Sequence, residues 1–221
     1  PSSGDTTITG SFSLTNDSVI TWQWKTNYWL DTGTNGNGTV NMPDGWWPKG
    51  SNAQITATAS EHYHFTTWSG QTNGCTISSN VITAPMTMPR VITAYFTLDQ
   101  HSLTVATPYG KASPPAGTNW FGYGSGIAAA LTNSPVTLGT TQYVCAGWTG
   151  TGSVPPSGTG TNTGSFALTN NSSIAWLWKT NFLLDTGTNG NGMVNQTDQW
   201  CAVGSNVLIT AMPSISNRFT G

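Results

Sequence analysis

His62 and His64 stand two residues apart in the run HYHFTTW, a spacing that on a β-strand turns both imidazoles to one face, as a metal site needs. A third ligand is hard to name, because Glu61 alternates to the other face and the matching positions later in the chain are Ser216 and Arg218. Oxygen-bearing residues alternate from Asp31 to Asn37 (DTGTNGN) and recur from Asp185 to Asn191, as in a calcium loop. One carboxylate per loop is little charge for a divalent ion, and the closing acidic residue of an EF-hand loop is missing. The Asn-Gly steps are explained without an ion, as the tight hairpin turn that would bring Val40–Met42 back along the strand before it. No metal or other cofactor is expected.

Hydrolysis of a glycosidic bond would ask for paired carboxylates, yet Glu61 is the single glutamate and the aspartates fall in turns. A Ser-His-Asp assembly has no better basis, and the expectation is that the chain is not an enzyme. The residues that remain are aromatic. Trp29, Trp46, Trp47, Trp120 and Trp200 lie near strand starts or in connections, where an indole either stacks on a sugar ring or seals a core or a joint between modules. Of Cys75, Cys145 and Cys201, an odd number leaves at least one unpaired; the set reads first as buried thiols, with a Cys145–Cys201 disulfide as the alternative. Five Asn-x-Ser/Thr sequences occur, at Asn16, Asn37, Asn170, Asn171 and Asn195, a frequent match in a chain this rich in Asn and Thr.

Composition narrows the partners. Six Lys plus Arg against eight Asp plus Glu in 221 residues give a formal net charge of −2, which offers no basic surface to a nucleic acid. No apolar run is long enough to span a bilayer as a helix, so no membrane insertion is expected. Eleven Trp, seven Phe and six Tyr supply the apolar area for small cores, set among Thr, Ser, Asn and Gly, as in extracellular β proteins.

The elements that must position these residues are strands. Ser11–Leu14, Val19–Lys25, Asn27–Asp31, Ala53–Ala59, His62–Trp68, Val81–Thr83, Met86–Met88 and Val91–Thr97 are short runs, several of them alternating, divided by Gly, Pro and Asn signals. In Val19–Lys25, Ile20, Trp22 and Trp24 share one face. Pro85 and Pro89 bound the Met segment, which reads as an edge or bulge. No window sustains helical spacing, and Ala128–Leu131 is too short for a helix. The expectation is an all-β fold of tandem small β-sandwich or β-grasp-like modules with negligible helix.

The chain also repeats itself. Gly10–Asn41 returns without a gap as Gly164–Asn195, and the register extends from Pro1/Pro155 to Thr67/Gly221 at an offset of 154 residues, with roughly 40 of 67 positions identical. Inside that period Tyr143–Gly150 (YVCAGWTG) answers Tyr63–Gly70 (YHFTTWSG), so the period divides in two. The expected organisation is 1–25 as the end of a B-type module, 26–99 as an A-type module, 100–179 as a B-type module and 180–221 as the start of another A-type module. The chain is expected to be a window on a longer array, with residues 11–25 and 180–221 covered by another copy or by continuing chain.

Gly36–Val40 (GNGTV), the Trp47–Ser51 approach (WPKGS) to Ile55–Thr58, Phe65–Gly70 (FTTWSG) and the closing Ile92–Phe96 (ITAYF) follow one another in an order that resembles the divergent internalin B-repeat modules, bacterial repeat domains found in tandem on surface and secreted proteins. Residues 100–179 look like a longer, more diverged relative whose ending, Ile174–Trp178 (IAWLW), departs from the usual Ala-x-Phe close. The resemblance implies small β modules, placement outside the cell or at its surface, and service as spacer, stalk or assembly unit, with no catalytic residue to carry over. The functional expectation is a structural repeat segment of a long extracellular bacterial fibre, stalk or surface-assembly protein, its partners identical chains or adjacent repeats. The alternative is a glycan-binding accessory or adhesin module presenting exposed Trp.

Overall fold

The computed structural model describes residues 7–220; residues 1–6 of the expected B-type ending 1–25, and residue 221 of the expected A-type start 180–221, lie outside the described residues. Every regular element among the described residues is a strand, and no helix is long and apolar enough to cross a membrane. The chain divides into two compact units, through Leu98 and from Asp99.

Unit 1 holds eight strands: β1 (Asn27–Asn35), β2 (Gly38–Val40), β3 (Gly45–Pro48), β4 (Asn52–Ala59), β5 (Tyr63–Gly70), β6 (Thr76–Ser78), β7 (Val81–Pro85) and β8 (Arg90–Leu98). They form two four-stranded sheets, β3-β1-β8-β5 and β2-β4-β7-β6. At the centre of the first sheet the opening and closing strands run parallel, Leu30 level with Arg90 and Asn35 with Tyr95. Alternation turns Leu30, Ile92, Ala94, Phe96 and Trp68 inward from that sheet to meet Ala53, Ile55, Ala57, Ile82 and Ala84 from the other in one buried cluster. Met86–Met88, expected as strand, is instead a loop after β7, held by Gly50 N–H donating to the Met86 carbonyl and Met86 N–H to the Ser51 carbonyl, each 2.8 Å.

The Asn-Gly steps do not make a hairpin. Gly36 takes a φ of 94°, as the first step requires, but β2 pairs with β4 rather than with β1. The turn carries the chain from one sheet to the other, and Gly38 lies against the Phe96 ring where a Cβ would collide. The hairpin partner of β1 is β3, and Asp44 closes that connection: its Oδ1 accepts the Thr32 N–H at 2.7 Å, while the Thr32 hydroxyl donates to the Met42 carbonyl at 2.6 Å. Asp198 and Thr186 repeat the arrangement at 2.8 Å. Replacing Asp44 by Ala should therefore cost unit 1 about 1–2 kcal/mol, read as a lower urea midpoint with an unchanged slope.

Unit 2 opens on the same plan. Its strands are β9 (Gln100–Ala106), β10 (Lys111–Ser113), β11 (Gly117–Gly122), β12 (Ser125–Thr132), β13 (Val136–Leu138), β14 (Thr141–Thr151), β15 (Ser157–Gly158), β16 (Asn162–Leu168) and β17 (Ser172–Leu184). The main sheet runs β11-β9-β17-β14-β13, and β10-β12-β16 covers it. Again the central pair is parallel, with Leu103 level with Ser172 as Leu30 is with Arg90. Trp148 on β14 matches Trp68 on β5, and both strands carry a bulge at the same place, after Cys145 and after Phe65. The Ala128–Leu131 stretch lies within β12 and contributes Ala129 and Leu131 to the second core.

The chain beyond this core continues as β18 (Gly192–Val194), β19 (Gln199–Ala202) and β20 (Ala211–Pro213). Here only the part of the A-type pattern that pairs locally is formed: β18 with β20, and β19 with the end of β17. Ile209, the counterpart of buried Ile55, is exposed.

At the other end, residues 7–26 form no strand, contrary to the expectation for Ser11–Leu14 and Val19–Lys25. The cause is a missing partner rather than a poor strand sequence. An alternating segment gains from strand geometry only when its backbone groups pair and its apolar face is covered, and the same residues in the later copy are strands β16 and β17.

Candidate functional site

The place where this chain binds an element most completely is the seat that the body of unit 2 makes for β16 and β17. Body strand β12 pairs with β16, Ile127 opposite Phe166 and Ser125 opposite Leu168. β9 and β14 take β17 between them, one parallel and one antiparallel. Into this seat go Leu168, Ile174 and Trp176, all buried, against Leu103, Val105, Ile127, Leu131, Trp148 and Val154. Trp148 and Trp176 meet edge to face at 5.7 Å.

Polar contacts close the turn between the two strands. Ser172, buried at the start of β17, donates to the Asn170 carbonyl at 2.8 Å and accepts the Ser153 N–H at 2.9 Å, while Asn171 Oδ1 accepts the Ser102 N–H at 2.9 Å. Farther along, Trp178 donates its indole N–H to Thr107 Oγ1 at 3.1 Å and stands edge-on to Tyr109, which stacks on Tyr143 at 3.8 Å. A hydrogen bond with Tyr143 pushes the Tyr109 phenol above its ordinary pKa. The seat has one polar shortfall: the buried indole N–H groups of Trp148 and Trp176, like that of Trp68 in unit 1, make no hydrogen bond. Each costs about 1–3 kcal/mol, set against the large apolar area an indole buries.

The five tryptophans singled out from sequence do not converge. Trp29 and Trp46 face outward on β1 and β3, opposite one another, with ring centres 5.3 Å apart at 71°. Trp47 turns the other way and packs on the unit 1 core. In unit 2, Trp120 is exposed on β11 opposite Ser102, whereas Trp200 is half-buried on β19 opposite Leu183. β11 is joined through β9 to the start of β17, and β19 pairs with its far end, so these two are well separated.

The histidine pair is likewise not a site. His62 precedes β5 in a left-handed turn with φ of 64°, 3.3 Å from Glu61, so it does not share a strand face with His64. Among the described residues no group of three His, Cys, Asp or Glu side chains is close enough to hold a metal ion. The three cysteines are free thiols. Cys145 lies opposite Trp178 on one side of β17 and Cys201 opposite Phe182 on the other. Two strand spacings and four residues separate them by about 16 Å, against the roughly 7 Å a disulfide tolerates. The 145–201 bridge is thus excluded in this fold. In unit 1, burial pushes the Cys75 thiol above its ordinary pKa, with Arg90 opposing.

Arg90 is the site's counterpart in unit 1. It is buried where Ser172 stands in unit 2, at the start of the closing strand, and sequence reasoning did not single it out. Its Nε donates to the Pro85 carbonyl at 3.0 Å, and its Nη1 to the carbonyls of Gln71 at 2.6 Å and Asn73 at 3.0 Å. A lone Arg just after Pro89, at the head of an alternating strand, was the signal available.

Residues 28–100 match the divergent InlB B-repeat domain. That match runs from the second residue of β1 through β8, and the resemblance read from Gly36–Val40 and Phe65–Gly70 falls inside it. One B-repeat-like unit is matched, and residues 101–221 lie outside it. Neither a curated protein sequence nor a solved structure matches the chain.

Proposed function

We propose that the chain is a structural repeat segment of a long extracellular bacterial fibre, stalk or surface-assembly protein, and that it does no catalysis. The observation that carries this reading is β17. That single strand of 13 residues, Ser172–Leu184, closes the unit 2 body at one end and at the other pairs with β19 of the following A-type repeat. β14 reaches across the same boundary, Trp148 level with Trp176 and Thr141 level with Phe182, and Leu183 donates its N–H to the Thr140 carbonyl at 3.0 Å. At this joint the shared, doubly paired strand leaves no free linker in which to bend, which suits a rod. Stability in such an array is a sum of module terms and neighbour terms. The match of residues 28–100 to a bacterial-type repeat domain supports placement at the cell surface or outside the cell.

A chain carrying several periods, imaged by electron microscopy, is expected to appear as straight particles whose length grows in proportion to the number of periods. Insertion of Gly-Gly after Lys179 is expected to introduce bends at the matching spacing. Particles that are collapsed or randomly curved without the insertion would overturn the reading.

The outward Trp29–Trp46 pair favours a second reading, a glycan-binding module. Against it, the matching positions in the later copy hold Leu183 and Trp200, so the aromatic pair is not kept from one copy to the next. A glycan-array signal abolished by Trp46→Ala would establish the second reading; no signal would leave the first.

A further inference from the structure

Residues 10–25 (GSFSLTNDSVITWQWK) and 164–179 (GSFALTNNSSIAWLWK) agree at 11 of 16 positions, yet they exist in this molecule in two states. Leu168, Ile174 and Trp176 are 0%, 1% and 3% exposed in the unit 2 seat; their counterparts Leu14, Ile20 and Trp22 are 72%, 38% and 49% exposed, and Trp24 is 84% exposed. An apolar row of this size left in water marks a surface meant to be covered. We propose that residues 10–25 are the closing strand pair of a further B-type body, one of the kind formed by residues 100–154 and carried on the same polypeptide in the same order, and that they seat in it as 164–179 seat here.

Three features of the uncovered segment already match the seated one. Gly10 has a φ of 70° and Gly164 one of 71°. The Thr9 hydroxyl donates to the Gly10 carbonyl at 3.0 Å, as Thr163 does to Gly164 at 2.8 Å. The Ser18 hydroxyl donates to the Asn16 carbonyl at 3.1 Å, as Ser172 does to Asn170 at 2.8 Å. The entry to the first strand and one hydrogen bond of the joining turn thus already match, and what is missing is the body. Of the five differences, Asp17 replaces Asn171 where a backbone N–H, that of Ser102, is received, and a carboxylate accepts such a bond as well as an amide does, whereas Val19 replaces Ser173 and forgoes only its exposed contact with Thr151.

The body of a second copy is the poorer occupant. It is already filled by its own residues 164–179, and exchanging one closing pair for a near-identical one uncovers as much as it covers. A body whose own closing pair is residues 10–25 gains the whole contact. The inference draws on the repeat organisation of the proposed function but not on its stiffness, so straight rods and seated strands can fail separately.

The test compares the 221-residue chain with an extended chain in which residues 100–154 are joined ahead of Pro1, by hydrogen–deuterium exchange. In the 221-residue chain amides 11–25 are expected to exchange freely at every concentration. In the extended chain they are expected to slow at least 100-fold, to the protection of 165–179, and Ile20→Asp is expected to abolish that protection while leaving 165–179 unchanged. Free exchange of 11–25 in the extended chain overturns the proposal, as does protection that survives Ile20→Asp. Protection that appears in the unextended chain on raising its concentration overturns it too, in favour of a second copy.

Discussion

Trp176→Ala should destabilise unit 2 by about 3–5 kcal/mol, whereas Trp22→Ala, the same change in the earlier copy of the same sequence, should alter the stability of this chain by less than about 0.5 kcal/mol. Trp176 is enclosed by the seat and stands edge to face with Trp148, so its removal leaves a cavity that the paired strands β14 and β17 cannot close up. Trp22 touches no such seat. The two substitutions delete the same atoms from nearly the same local sequence, and the difference between them isolates the energy that tertiary enclosure adds to an alternating strand. The measurement is urea denaturation followed by circular dichroism. The unit 2 transition should move to lower denaturant in Trp176→Ala, with unit 1 unmoved. Equal effects of the two substitutions would mean that the enclosure described for unit 2 is not the source of its stability.

Arg90→Met should cost unit 1 about 3 kcal/mol or more, although it removes a charge that has no carboxylate beside it among the described residues. The guanidinium serves as a triple donor: the carbonyls of Gln71 and Asn73, in the loop after β5, and of Pro85, at the end of β7, all turn to it. Methionine fills much of the volume but donates nothing, and buried acceptors then lose hydrogen bonds to a charged donor worth about 1.5–3 kcal/mol each, offset in part by the charge no longer held out of water. Arg90→Lys should recover only part of the loss, because an ammonium cannot reproduce the spread of the planar fork. A lower denaturation midpoint with faster exchange of amides 71–75 is the expected result. Stability unchanged in Arg90→Met would mean that those carbonyls find water as readily as they find Arg90.

Much of the architecture was legible because alternation and aromatic placement are local properties of a strand. The inward row of Ile92, Ala94 and Phe96, the answering Trp68 and Trp148, and the absence of helical spacing could all be read along the chain, and the all-β fold follows from them. What could not be read depends on which strands meet. Asn-Gly with a positive φ serves a hairpin or a sheet switch equally well, and only the pairing of β2 with β4 tells the two apart. The parallel contact of β1 with β8 joins residues 60 positions apart, Leu30 with Arg90, and leaves no local mark. His62 looked like the first residue of a strand by its spacing from His64, but the left-handed turn needed ahead of β5 claimed it. Residues 11–25 have the alternation of strands and are not strands here, because that pattern records an appetite for a partner and cannot supply one. The five tryptophans were chosen for their place near turns, which says nothing about whether a ring faces in, as Trp47 does, or out, as Trp46 does.

The strand that runs from the unit 2 body into the repeated sequence after Lys179 also fixes the phase of what it carries beyond that body. Side chains on β17 point alternately to its two faces, so the inward parity of Ile174, Trp176 and Trp178 dictates the parity of Leu183 and Leu184 beyond the boundary. Gain or loss of a single residue between Lys179 and Asn181 would turn every downstream face of that strand inside out. A change of one residue is therefore expected to be poorly tolerated at this joint, unlike in an ordinary interdomain tether, whereas a change of two keeps the faces and shifts only the register against β14 and β19.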